Sequence, residues 1–500
     1  MWQGNALCIV SRYSDGWWLD SVATFIASTV TKKFSMRPLF IFLQLLALVL
    51  LLGASLLAQT YPIKVSSNGR YFVDQTNTPF VPVIDSGWDL IGNIPSSSWD
   101  TYLSARASQH VNTIFFSMLC SSYIGCTSAD SNTAAYDETK PFTSGTDESN
   151  YDLSTPNETY FEEIDSLVRA IASYGMVAII DPTPSDTTWI NTLVNNGATK
   201  SYNFGVYLGT RYKSYTNVIW QHGNDFQNWN SDSTQNNVMH QVMAGIASVD
   251  TNHIQTIELN YDYSYSNQDT LMDDVLEADF CYTYYAPYDC VINAYGSSPT
   301  IPVYLGESNY EGENNTGQLP GPATAWDIRL ENYWAITSGA AGVQYGDAPV
   351  YYFGSGWESH LTDPGAQQLQ YILTLAASFP FYNFSYDNLH QVVTAGYGTY
   401  DGSNLDIEAE NYCPTSWDGA LKSITYCPKA ATLIVNMSKF KSNRMRARWF
   451  DPTTGTYSTI GVFGNSGTEN FTSPASHADG NDDWVLVLDP SPTIVNVKLR

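Results

Sequence analysis

The sequence predicts an α/β fold: a (β/α)8 TIM barrel followed by a C-terminal antiparallel β-sandwich. Three observations carry that expectation. From residue 80 onward, eight short apolar runs alternate with helical patterns over about 300 residues. Two of those runs end by delivering polar residues, in Asn217-Val-Ile-Trp-Gln-His-Gly-Asn-Asp225 and in Pro302-Val-Tyr-Leu-Gly-Glu307. From about residue 391 the pattern changes to period-two alternation broken by turn signals.

In chain order, residues 1–58 read as an upstream extension and a signal peptide. Leu39 to Leu52 is a mostly apolar run preceded by Met36-Arg37 and followed by Gly53-Ala54-Ser55-Leu56-Leu57-Ala58. That is the charged, apolar and small-residue layout of a secretory signal, and its position marks Met36 as the true start. The competing reading is a signal anchor, because Leu39–Ala58 approaches the roughly 20 residues that span a bilayer. The short run and its small-residue end favour cleavage, so the mature protein is expected to be secreted and free of membrane.

Residues 60–388 form the expected barrel, opened by a hairpin over residues 61–79 that closes one end. The candidate strands are Phe80–Asp85, Val111–Leu119, Met176–Asp181, Asn217–His222, Gln255–Tyr261, Asp279–Tyr285, Pro302–Gly306 and Gly342–Gly346. Between them, Thr155-Pro156-Asn157-Glu158 reads as a capping box that opens a helix ending at Gly175. Ala323–Ser338 carries Trp326, Leu330, Tyr333, Trp334 and Thr337 at helical spacing and stops at Gly339. The last barrel helix is Gln367–Ser378. The polar stretch Thr127–Ser154 is too long for a plain connector and, following the second strand, belongs on the face where the strands end. Residues 389–500 form the sandwich, with a turn at Asp451-Pro-Thr-Thr-Gly455 and a final strand Trp484–Leu488.

Composition narrows the partners. The chain carries 22 Lys+Arg against 49 Asp+Glu, a formal net charge of −27, which repels nucleic acid and anionic membranes. Tyr (35) and Trp (14) are abundant, as sugar-stacking surfaces require, although a large β-rich core explains much of that excess. Cys8 lies upstream of the signal, and the other six cysteines fall into the close pairs Cys120/Cys126, Cys281/Cys290 and Cys413/Cys427. Close pairs after a signal read as local disulfides. The glycosylation sequons at Asn157, Asn314, Asn383, Asn436 and Asn470 fit the same secreted setting.

Residues at the C-terminal ends of barrel strands converge on one site. Here those are Asp85, Asp181, Asn224, Asp225, Tyr261, Tyr285, Glu307, Gln344 and Asp347. Hydrolysis of a glycosidic bond needs one carboxyl group to protonate the leaving oxygen and a second to act as nucleophile or to activate water. Asp225 after the fourth strand and Glu307 after the seventh stand on opposite walls, as that chemistry requires. A lone Asp after a strand is usually a helix N-cap, and for Asp85 and Asp181 that reading stands beside a role in binding substrate. Asn224 can hold a sugar hydroxyl beside the acid. Glu307 closes a buried strand, where an unpaired carboxylate is costly without a role. Trp88, Tyr285 and Trp334 are candidate stacking platforms or core residues, and His222 either bonds substrate or packs. The sequence has no His-Glu-x-x-His, nucleophile elbow, Walker loop or dinucleotide fingerprint, so a hydrolase needing neither metal nor cofactor is expected.

The runs Thr78-Pro-Phe80, Asp85-Ser-Gly-Trp88, Tyr102-Leu-Ser-Ala-Arg106, Val111-Asn-Thr-Ile114, Asn157-Glu-Thr-Tyr-Phe161, Leu208-Gly-Thr-Arg-Tyr212 and Asn217-Val-Ile-Trp220 resemble the apiosidase-like barrel hydrolases, glycoside hydrolase family 140. The resemblance covers roughly residues 62–385. The tail resembles the β-sandwich labelled for collagen binding that such proteins often carry, at Trp449-Phe-Asp-Pro-Thr-Thr-Gly455 and Asp483-Trp-Val-Leu486. The resemblance implies a glycoside hydrolase acting on a plant cell-wall-type polysaccharide or oligosaccharide. It further implies Asp225 as acid/base, Glu307 as nucleophile and Asp85 as a substrate ligand. Where the family usually reads Gly-Gly-Asp after the fourth strand, this chain has Gly223-Asn224-Asp225, a departure at the specificity pocket that leaves the sugar open and apiose unassigned. Two alternatives stay open: a catalytically silent carbohydrate- or matrix-binding protein, and a polysaccharidase of different specificity on the same barrel.

Overall fold

The computed structural model describes residues 59–126, 134–185 and 188–491. The expected leader, Cys8 and the start of the Thr127–Ser154 stretch lie outside those residues. Among the described residues no helix is long and apolar enough to cross a membrane.

Each of the eight apolar runs forms a strand: β1 (Val83–Ser86), β2 (Thr113–Ser117), β3 (Val177–Asp181), β4 (Val218–His222), β5 (Gln255–Ile257), β6 (Asp279–Thr283), β7 (Val303–Glu307) and β8 (Val343–Tyr345). Six of them make one parallel sheet in the order β8-β1-β2-β3-β4-β5. The other two pair in parallel with each other, and Tyr263–Tyr265 adds antiparallel to the far edge of β6. Backbone bonds cross both gaps: Ala341 donates to Val303 at 2.7 Å, Leu305 to Gly342 at 3.2 Å, and Glu277 to Gln255 at 2.9 Å. The result is a TIM-like α/β fold.

These strands are buried along their whole length, which is why they read as nearly continuous apolar runs. Period two still sorts their side chains. Ile84, Phe115, Ile179, Ile219, Phe280 and Tyr304 pack together inside the sheet. Ile114, Phe116, Ala178, Ile180, Val218 and Trp220 instead join the helices outside.

The helices that matter for the site are α1 (Trp99–Ser108), α2 (Glu158–Ser173), α3 (Trp189–Tyr212), α4 (Ser233–Ala247), α5 (Pro287–Gly296) and α6 (Ala325–Ser338). The cap of α2 falls two residues later than the sequence suggests: Asn157, not Thr155, is the N-cap and accepts from Thr159. Its short amide reaches the second backbone N–H, leaving Pro156 to bridge Phe142 instead of opening the helix. Helices α3 and α4 touch backbone to backbone. A Cβ on Gly205 would lie 2.1 Å from the Val242 carbonyl, and one on Gly245 the same distance from that of Tyr202.

The tail makes two antiparallel sheets. The larger runs Ser385–Tyr386, Thr415–Trp417, Ser423–Cys427, Trp484–Pro490, Met445–Asp451, Thr456–Phe463, and the smaller Val393–Ala395, Thr432–Asn436, Thr468–Thr472. The Asp451–Gly455 turn joins two of these strands through a Gly455 N–H bond to the Asp451 carbonyl at 2.8 Å. Helix α6 is buried from Asp327 to Ser338, which its helical periodicity did not suggest. The tail supplies the missing cover. Trp334 donates its indole N–H to the Tyr412 carbonyl at 2.9 Å, Tyr333 stacks on Tyr426, and Arg329 is paired with Asp483 at 2.9 Å and Asp479 at 2.8 Å.

Cys120 and Cys126 are disulfide-bonded. Cys281, Cys290, Cys413 and Cys427 are buried free thiols, contrary to the expectation of three bridges. Cys290 directs its thiol at the Ser264 carbonyl, Cys281 packs among Val291, Ala294, Val303 and Leu305, and the two thiols lie within hydrogen-bond reach of each other.

Candidate active site

Strand β4 ends in a backbone that only a few residue types accept. Gly223, Asn224 and Asp225 have φ of 104°, 62° and 53° in succession. Left-handed conformations are open to glycine and are tolerated best by Asn and Asp, so the Gly-Asn-Asp order is what such a turn needs. A Cβ at Gly223 would meet the Glu258 carbonyl at 2.1 Å. Three groups hold the turn: Ser185 donates from its N–H (2.6 Å) and Oγ (2.8 Å) to the Gly223 carbonyl, and the Asp225 N–H donates to Glu258 Oε1 at 2.8 Å. Tyr123 donates its hydroxyl to Asp225 Oδ2 at 2.6 Å.

Strand β7 presents Glu307 through a register shift, which sets Glu307 opposite Tyr282 of β6. Gly306 beneath it lets the Phe280 ring approach, since a Cβ there would sit 2.3 Å from that ring. Burial pushes the Glu307 carboxyl well above its usual range, and the charges of Asp225 and Glu313 add to this. Hydroxyl groups of Tyr310 and Tyr284 pull it back.

Asp225 and Glu307 line one cavity of about 390 Å³. Trp88, Asn224 and Tyr261 line it with them, as do Tyr123, Ile124, Tyr282, Tyr284, Tyr310, Glu313, Asn315 and Tyr351. Trp88 is fixed by an indole bond to the Tyr310 hydroxyl at 2.7 Å, and Tyr284 accepts from Asn315 at 2.9 Å. Asn224 Oδ1 is buried and has no hydrogen-bond partner among the described residues. Burial raises Glu313 to about 7.

The other residues expected at the site stand elsewhere. Asp85 faces outward, where it is paired with Arg106 of α1 at 2.6 Å and bonded by the Tyr102 hydroxyl. The single-step alternation along β1 turns it away from the inward-facing Ile84 and Ser86. Asp181 lies in the interior and accepts the Thr183 N–H at 3.0 Å without lining the cavity. His222 points outward to Gln255, and burial lowers its pKa to about 3, so it is neutral. Gln344 donates to Ser86 Oγ at 3.1 Å as an internal brace. Tyr285 rests edge-on against Tyr263 outside the cavity, and Trp334 is core beneath the tail. Asp347, His360 and Asp363 bring one donor atom each to within 4.8 Å of one another, also outside the cavity.

Sequence reasoning missed Glu258. It is fully buried, bonded to Asp225, and pushed well above its usual range first by burial and then by the charges of Glu307, Asp225 and Asp181. A signal for it existed, because Thr256 and Glu258 share the inward phase of β5. Tyr123, Glu313 and Asn315 come from irregular loops, which carry no periodic signal.

Residues 66–383 match the family profile described as "Apiosidase-like, catalytic domain", and residues 408–489 match one described as "Putative collagen-binding domain of a collagenase". Among solved structures, a glycoside hydrolase family 5 protein from Bacteroides vulgatus ATCC 8482 superposes with a TM-score of 0.72 at 18% identity, covering 86% of this chain and 94% of that one. A second, described as a glycoside hydrolase, gives 0.70 at 20% identity over 86% and 97%. At that identity the likeness is one of fold. A search of curated proteins returns no match.

Proposed function

This chain belongs to the apiosidase-like family of glycoside hydrolases, and from that premise we propose that it cleaves a plant cell-wall-type polysaccharide with retention of configuration. Asp225 is the general acid/base and Glu307 the nucleophile. Glu307 attacks the anomeric carbon while Asp225 protonates the departing oxygen. Asp225 then takes a proton from water, which releases the sugar from its ester with Glu307. The observation that carries this reading is the meeting of two acids from β4 and β7 in one aromatic-walled cavity, where the negative charge of Asp225 acts on Glu307. Two carboxyl groups this close disfavour double ionisation, and the charge of Asp225 adds to the burial that raises Glu307.

The two parallel sheets form one closed (β/α)8 ring in this reading, supported by the backbone bonds across both gaps. Residues 60–388 make the catalytic part and residues 389–500 an accessory sandwich. Residues 36–58 are a cleaved leader, and the mature protein is extracellular. Asn224, Trp88 and Tyr261 hold the sugar.

Incubation with pectic, arabinogalactan and glucan substrates tests the reaction, with released sugars identified chromatographically and the first-formed anomer read by proton NMR. Release with retained configuration is expected. Tight polysaccharide binding with no released sugar on long incubation would instead favour a silent binding protein, and an inverted first product would sink the double-displacement mechanism.

A further inference from the structure

We propose that Glu258 is the positioning residue for Asp225, clamping through the Asp225 N–H the left-handed turn that aims this acid into the cavity. The inference rests on the proposed function above and adds a third carboxyl group to it. The three consecutive positive φ values from Gly223 to Asp225 persist only where the surroundings hold them. Ser185 secures the first residue of the turn, and Glu258 Oε1 secures the last at 2.8 Å. The Glu258 backbone closes the same turn from below, since its carbonyl fills the space that a Gly223 side chain would need. Clamp and turn are therefore fixed to each other at two points.

The charges around Glu258 decide its form. The carboxyl groups facing it are Glu307 from β7, Asp225 after β4 and Asp181 from β3, and the phenols of Tyr282 and Tyr304 also lie near. Among the described residues its one further side-chain hydrogen bond is a long one, accepted from Gln221 Nε2 at 3.4 Å. An ionised Glu258 would stand fully buried among like charges. A neutral carboxyl group there still accepts the Asp225 N–H through its carbonyl oxygen, so the clamp works without a charge. It also leaves the negative charge of the site to Asp225 and Glu307.

Two substitutions separate the acceptor from the charge. Glu258→Gln keeps an acceptor oxygen and cannot ionise; Glu258→Met keeps the volume and has no acceptor. On the polysaccharide from which the wild-type protein releases sugar, E258M is expected to lose kcat by on the order of 100-fold, the cost of a small misplacement of a catalytic group, with KM little changed. E258Q should keep kcat within roughly fivefold and the wild-type pH profile. The crystal structure of E258Q should retain the left-handed Asp225, and that of E258M should not.

A fully active E258M overturns the proposal. So does an E258Q as impaired as E258M, or an E258Q whose alkaline limb moves down by about a pH unit, since either shows that a charge is needed. If E258M does not fold, the E258Q profile and structure decide alone. Loss of activity in D225N and E307Q with E258M unaffected would remove Glu258 and leave the two-acid assignment standing. Full activity in D225N and E307Q would overturn that assignment, and this proposal with it.

Discussion

Asp85 and Glu307 are both acids at the ends of buried parallel strands, and both are nearly inaccessible, at 1% and 7% exposure. The fold treats them oppositely. Asp85 turns outward onto α1 and meets the Arg106 guanidinium, with Tyr345 and Tyr102 rings flanking that cation at 5.3 and 5.6 Å. Burial still raises its carboxyl, but Arg106 and Tyr102 oppose the rise. Glu307 turns inward, where the charges that reach it are negative. A buried acid that its surroundings neutralise holds the structure together. One crowded by other acids is a poor structural element, which supports the chemical use proposed for Glu307.

Changing Glu307 to Gln should cause the largest loss, on the order of 10^4-fold or more in kcat, with the folded structure intact by circular dichroism. Activity within tenfold of wild type would place Asp85 and Glu307 in one class and break the contrast. Asp225→Asn should cost about 10^2–10^4-fold, the usual share of general acid–base catalysis. That loss should shrink on aryl glycosides whose leaving group departs without protonation; equal loss on both substrates would deny Asp225 the acid role.

On the other side of the comparison, Asp85→Asn should cost about 3–5 kcal/mol in chemical denaturation, because it strands the buried Arg106, while kcat per folded molecule stays near wild type. Pairing it with Arg106→Met should return much of that stability. A double variant no more stable than the single one would show that the pair does more than satisfy itself.

The smallest effect is on pH. Burial raises Asp279 and Asp347 to about 7 and Glu331 to about 8. A carboxyl group with a higher folded than unfolded pKa takes up protons on folding. Its stability contribution is complete below about pH 4 and is lost as pH rises through the folded value. Half-buried acids with lowered values, such as Asp152 at about 2, work the other way and are already at full effect above about pH 4. The melting temperature should therefore be higher at pH 5 than at pH 8, and E331Q should narrow the difference. A melting temperature that climbs from pH 5 to pH 8 contradicts this.

The strands were legible because a parallel strand covered on both faces is apolar at every step, and all eight runs appear as strands within a few residues of their expected ends. What the same run hides is phase. Position at a strand end made Asp85 look like Asp225, yet alternation along β1 turns Asp85 out to a helix while a left-handed turn after β4 carries Asp225 into the cavity. Glu258 was hidden in the opposite way: it sits just past β5, three residues before Tyr261 at the expected strand end. Helix α6 shows a third limit. Its apolar positions have helical spacing, but nothing local tells that Arg329 is also covered, because the cover over Arg329 and Trp334 comes from residues some 80 to 150 positions later.

That cover makes the tail something other than an attachment. The buried core runs without a break from Leu330 and Trp334 into Ile424, Tyr426, Phe450 and Val485. Cutting the chain between the parallel strands and the antiparallel sheets would strip one whole side of a helix and leave Arg329 without Asp483. A shuffling event that carried away residues 66–383 alone would therefore deliver a catalytic half that cannot stand by itself. The two halves match separate family profiles but share one core.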